Sequence, residues 1–196
     1  MASQFLKAGL AALVLACGAA HAQPVTLSGI KYEDTAELRG QRLLLNGVGV
    51  RYKAVFKVYT AGLYLPRKAA TTEDILAMPG AKRMSITMLR DIESAELGKL
   101  FSRGMEDNME KAAFSTLVPG VMRMSQLFSE HKKLQAGDSF QVDWVPGTGT
   151  IITVKGVQQG EPFKEPEFFN ALLRIWLGPV PADWKLKEAL LGKPSA

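Results

Sequence analysis

The sequence predicts an α+β domain, a large antiparallel β-sheet with a layer of helices on one face. Three observations lead there. Segments with strand character come early in the chain and again after its middle, and helical segments are grouped between and behind them. The run over residues 54–65 is apolar at odd and even positions alike, with Lys57 its one charge, as expected of a strand covered on both faces. Residues 138–145, the turn Pro146-Gly147-Thr148-Gly149 and residues 150–156 form the clearest hairpin, β-branched on both sides of a glycine-rich turn.

The chain opens with Lys7 ahead of an uncharged, mostly apolar run over residues 8–20, followed by Ala20-His21-Ala22. Small residues at the first and third positions of that triplet fit a signal peptidase, so residues 1–22 read as a signal peptide cleaved before Gln23. The run is shorter than the ~20 residues a spanning helix needs, and no later segment is long and charge-free enough, so the mature chain is expected to have no transmembrane segment. Cys17, the only cysteine, falls inside this segment. In an alternative reading, Val14-Leu15-Ala16-Cys17 is a lipobox and Cys17 carries a lipid anchor. The expected location is periplasmic or secreted, and residues 23–196 read as a single domain.

Residues 25–32 alternate loosely and predict a first strand. Residues 43–45 are apolar and end at Asn46-Gly47, a turn signal. The strand over residues 54–65 stops at Pro66. Thr71 or Thr72 caps a short helix reaching Met78, closed by Pro79-Gly80. Residues 83–89 predict another strand. Ser94 can cap a long helix to about Ser115, with Leu97, Phe101, Met105 and Ala112 on one stripe and Asn108 beside them. A second helix follows over residues 118–133, broken from the first near Pro119-Gly120. Residues 165–177 form an amphipathic helix stopped by Gly178-Pro179, and Asp183 caps a last short helix ending at Gly192.

Charge and motifs exclude more than they assign. The net charge of +5 is spread along the chain, and clusters such as Lys82-Arg83 and Lys132-Lys133 are short and lack interleaved aromatics, so nucleic acid is not an expected partner. The mature chain has one histidine, His131, beside two lysines and read as a surface residue, and no HExxH, CxxC or GxSxG motif. No metal and no cofactor are expected. Glu106, Asp107 and Glu110 sit beside Arg103 and Lys111 and read as an exposed face. Three polar residues are out of place: Arg51 and Lys57 flank or interrupt an apolar strand, and Asn108 lies on an apolar helix stripe. Such groups are partnered, at a strand edge, or turned to a cavity.

Two segments, Gly47-Val48-Gly49-Val50-Arg51 and Lys57-Val58-Tyr59-Thr60-Ala61-Gly62-Leu63-Tyr64-Leu65, resemble the chalcone isomerase-like proteins, in particular their exported bacterial branch. The plant enzymes have a similar Gly-x-Gly-x-Arg segment leading to a Lys-Phe-Thr-Ala-x-Gly-x-Tyr-Leu strand. Phe101-Ser102-Arg103-Gly104-Met105-Glu106-Asp107-Asn108 resembles their Tyr-Ser-Arg-Lys-Val-Met-Glu-Asn, and Ile175-Trp176-Leu177-Gly178 their Thr-Met-Ile-Gly. The resemblance implies a large antiparallel sheet, a helical layer and a ligand cleft between them.

By that resemblance Arg51 matches the arginine that steadies developing negative charge, and Asn108 matches the cleft asparagine. Phe101 and Tyr59 stand where the enzymes have a tyrosine and a threonine, and Ile175 and Trp176 where they have threonine and methionine. Phenylalanine donates no hydrogen bond, and losing one such donor costs about 10²–10³ in rate, so little chalcone cyclisation is expected. The leading expectation is therefore a non-catalytic protein that binds a small amphiphilic or acidic apolar ligand, such as a fatty acid, through Arg51, Tyr59, Phe101, Asn108, Ile175 and Trp176. One alternative is an isomerase acting on a chalcone-like or other enone phenol, with Arg51, Tyr59 and Asn108 as its catalytic candidates. Another is an interaction protein with a closed core.

Overall fold

The protein is described by a computed structural model over residues 23–130 and 132–193. The expected signal segment with Cys17, and His131, lie outside the described residues.

The chain opens with a hairpin, β1 (Val25–Leu27) and β2 (Ile30–Tyr32), where one strand was expected over residues 25–32. Ser28 and Gly29 both take left-handed φ values, 51° and 82°, the backbone of a tight two-residue turn. Next come β3 (Thr35–Leu38), β4 (Gln41–Lys53), β5 (Phe56–Leu65), α1 (Thr72–Ala77) and β6 (Lys82–Met88). The short β7 (Ile92–Glu93) leads into α2 (Ser94–Glu106) and α3 (Lys111–Ser129), and β8 (Lys133–Leu134) pairs back with β7. The chain continues through β9 (Ser139–Val145), β10 (Gly149–Val154), β11 (Val157–Gln158), α4 (Pro166–Leu177) and α5 (Trp184–Leu190).

Among the described residues the main sheet has seven antiparallel strands in the order β11-β10-β9-β6-β5-β4-β3. It is a meander interrupted once, between β6 and β9, where α2 and α3 are inserted. Because sheet side chains alternate, β5 serves two cores. Tyr59, Ala61, Leu63 and Leu65 join the larger one, with Leu97 and Phe101 of α2, Phe128 of α3 and Trp176 of α4. On the other face Tyr32 lies flat on the sheet. Its hydroxyl donates to Thr60 Oγ1 at 2.8 Å, and a Cβ on Gly62 would stand 2.6 Å from its ring. From Val58 to Leu65 the strand is thus covered on both faces, by helices on one and by the β1–β2 hairpin on the other, whereas Ala54 and Val55 form the turn before it and Phe56 and Lys57 are exposed. No helix among the described residues is long and apolar enough to cross a membrane.

Three sequence expectations give way to tertiary contacts. Asn46-Gly47 is not a turn but an irregularity inside β4, where the strand register shifts. The Asn46 amide donates to the carbonyls of Ala69 and Leu190 and accepts from the Ala69 N–H, tying β4 to distant chain. The helix break falls at residues 107–110 instead of near Pro119, which lies inside α3. Pro119 and Ser115 are both exposed, so solvent can serve the carbonyl that proline leaves without a donor. Ser94 begins α2 but does not cap it; Glu93 is the cap residue, without a side-chain bond. The Thr71 cap on α1 and the Asp183 cap on α5 form as their sequence predicts. Lys57 is exposed at the start of β5, and its Nζ reaches Ser28 Oγ at 3.3 Å.

Candidate functional site

Helix α5 presses so closely on β4 that a Cβ on Gly47 would lie 1.9 Å from the Ala189 carbonyl oxygen. One on Gly49 would lie 2.8 Å from the Ala189 Cβ. Both glycines and Arg51 are on the helix-covered face, two residues apart along the strand. The glycines seat the helix, and Arg51 emerges at its N-terminal end. Asp183 fixes that junction: one carboxylate oxygen caps Leu186 N, and the other accepts from the backbone N–H of Tyr52 at 2.8 Å.

Arg51 stands opposite Tyr59 in the β4–β5 ladder, its guanidinium carbon 5.6 Å from the centre of the tyrosine ring. The two residues form the sheet side of a cavity of about 160 Å³. Leu97, Leu100, Phe101 and Gly104 of α2 and Ile175 of α4 form its other walls. The loop carrying Val180, Pro181 and Ala182, with Ile92, Arg103 and Asp107, completes it. Gly104 allows α2 and α4 to approach, since a Cβ there would be 3.1 Å from Ile175.

The polar side of this cavity is small and specific. Trp176 Nε1–H donates to the Tyr59 hydroxyl oxygen at 2.8 Å, which leaves the phenol proton free to donate elsewhere. Burial pushes the Tyr59 pKa up to about 12, against the lowering influence of Arg51, so the group is a neutral donor near pH 7. Arg51 Nε is enclosed without a hydrogen-bond partner, and Arg51 has no ion pair among the described residues. An enclosed N–H with no acceptor is costly, and an anionic group in the cavity would relieve it. Arg103 at the rim lies 3.6 Å from Asp107, a partly self-neutralised exposed pair. No cluster of three or more metal-ligating side chains occurs among the described residues.

Of the residues singled out in the sequence, Arg51, Tyr59, Phe101 and Ile175 are brought together on the cavity wall. Trp176 is not on it. Its ring is fully buried behind Phe101 and Tyr59 and reaches the site only through the bond to Tyr59. Asn108 is also absent from the wall, because both ends of its amide are committed to backbone. It donates to the carbonyls of Gly104 and Val180 and accepts from the N–H of Val180, each at 2.8 Å. Asn108 is thus a clasp that holds the 180–182 loop against the end of α2, and a Cβ on Gly178 would collide with it. Sequence reasoning missed Leu97 and Gly104 as wall residues, although their spacing from Phe101 by four and three places them on its helix face. Val180 and Pro181 carry no such signal, since only the clasp brings their loop to the site.

A protein-family model described as chalcone isomerase-like matches residues 24–192. The chain belongs to this family. A search of curated protein sequences returns no match. Among solved structures, the fold is similar to that of a fatty-acid binding protein of Arabidopsis thaliana, with a TM-score of 0.70. The two share 16% sequence identity, and the match covers 86% of this chain and 95% of the plant protein. The expected fold class, an antiparallel sheet with helices of the chalcone isomerase-like type, is therefore established, and at this identity the likeness speaks for the fold alone.

Proposed function

We propose that this family member is a non-catalytic binding protein for a small acidic, apolar ligand such as a fatty acid, held by its carboxylate at Arg51 and Tyr59. The observation that carries this reading is the enclosed Arg51 Nε, which has no acceptor among the described residues and stands on the wall of a largely apolar cavity beside a free phenol proton. A carboxylate can accept from both groups at once. The fatty-acid binding function named for the plant relative is consistent with it. Phe101 supplies no donor for a substrate carbonyl, which weighs against isomerisation.

Native mass spectrometry and lipid extraction of gently purified protein test the reading. Recovery of an organic acid that is lost in Arg51→Gln is the expected result. Absence of affinity for any carboxylate, with Arg51→Gln indistinguishable from wild type, would overturn it. We further propose that the protein is exported and works in the periplasm or outside the cell after cleavage at Ala22/Gln23. N-terminal sequencing of the processed protein should begin at Gln23, and a lipidated Cys17 as first residue would replace that assignment with a membrane anchor.

A further inference from the structure

The cavity beside Arg51 has about the volume of an engineered protein cavity of ~150 Å³ that accepts benzene, a molecule of six heavy atoms. Its inner wall is Phe101, which is 3% exposed and braced from three directions. The Phe128 ring meets it edge-on at 5.5 Å, Phe140 lies at 5.7 Å, and Trp176 meets it edge-on at 5.8 Å. Trp176 cannot turn aside without giving up its bond to Tyr59. Phe128 and Phe140 are themselves buried, so the far side of Phe101 is occupied by packed aromatic rings. On the outer side the wall ends at Val180, which is 56% exposed, so a longer chain leaving that way would meet solvent.

From these facts we infer that the site selects short monocarboxylates, straight-chain or aryl, with an apolar body of roughly three to six heavy atoms because the carboxylate shares the cavity, and that Phe101 is the residue that sets this limit. The inference rests on Arg51 and Tyr59 holding the carboxylate, and it narrows the ligand from fatty acids in general to their short members. Each methylene buried in the cavity strengthens binding about fourfold. Methylenes beyond the limit press on Phe101 or hang in water, and add nothing.

The test is a calorimetric series of straight-chain acids from about two to about sixteen carbons on the processed protein, with benzoate alongside; affinity should climb about fourfold per methylene and then level off or fall near four to seven carbons. Phe101→Ala should move that break to longer chains, with octanoate or decanoate gaining at least about tenfold over wild type. If the large cavity in Phe101→Ala prevents folding, Phe101→Leu gives a smaller shift in the same direction, and the wild-type series decides the length limit without either variant. A wild-type affinity that keeps rising to sixteen carbons overturns the length limit while leaving carboxylate binding intact. An unmoved break in a folded Phe101 variant overturns the role of Phe101. Binding of no acid of any length overturns the inference together with the proposed function.

Discussion

Two arginines on the same sheet, Arg83 and Arg51, face opposite sides of it and have opposite circumstances. Arg83 on β6 is on the hairpin-covered side, directly across from Asp143 on β9. Its Nε and Nη2 each donate to a different carboxylate oxygen, both at 2.7 Å. Burial pushes the Asp143 carboxyl up while Arg83 pulls it back, so the pair withstands a desolvation cost by closing on itself. Among the described residues Arg51 has no such counterpart on the helix-covered side; it faces a tyrosine ring and a cavity. The lesson is that a charge within a sheet is closed into a pair or left open according to what the neighbouring strand presents to it.

The largest effect should come from breaking the closed pair. Asp143→Ala leaves a mostly buried guanidinium uncompensated and should cost about 3–5 kcal/mol in urea unfolding, with ligand affinity unchanged. A loss under about 1 kcal/mol would erase the distinction between the two arginines. The seat of α5 comes next. Gly47→Ala places a methyl group against the backbone of residues 189–190 and should destabilise by about 1–3 kcal/mol or more, also read by urea unfolding.

Arg51→Gln sharpens the contrast from the other side. Carboxylate affinity should fall about 10- to 100-fold by calorimetry, the worth of a charge-assisted hydrogen bond, with stability changed by less than about 1 kcal/mol. A collapse in stability instead would make Arg51 as structural as Arg83.

The smallest expected effect is alkaline. Burial raises the Tyr59 pKa to about 12, above the ~10 of an unfolded tyrosine, so the folded state holds this proton more tightly. The stabilisation is fully present below pH ~10 and is lost as pH rises through about 12, amounting to about 1 kcal/mol by pH 11. Tyr64 on the opposite face is also pushed up to about 12 by burial, so Tyr59→Phe and Tyr64→Phe should each remove part of the alkaline loss measured by thermal melting. A pH profile unchanged by Tyr59→Phe would show that the phenol is solvated.

The sequence by itself determined the architecture. Alternation and its absence are local properties, so the doubly covered β5, the hairpin of β9 and β10, and the α4 helix were legible. The Gly-x-Gly-x-Arg segment was visible only as a family resemblance; which way Arg51 faces came from the β4 register, which carries Asn46-Gly47 as an irregularity inside a strand. Tertiary structure alone decided which polar groups stay free. Asn46-Gly47 looks like a turn until Ala69 and Leu190 occupy the asparagine amide. Asn108 looks like a ligand contact until the loop at Val180 claims both its ends. Trp176 looks like a wall residue until Phe101 and Tyr59 stand in front of it. Hydrogen-bond capacity is written in each residue, but its partner comes from chain brought near only by folding, and that partner decides whether the group remains available to a ligand.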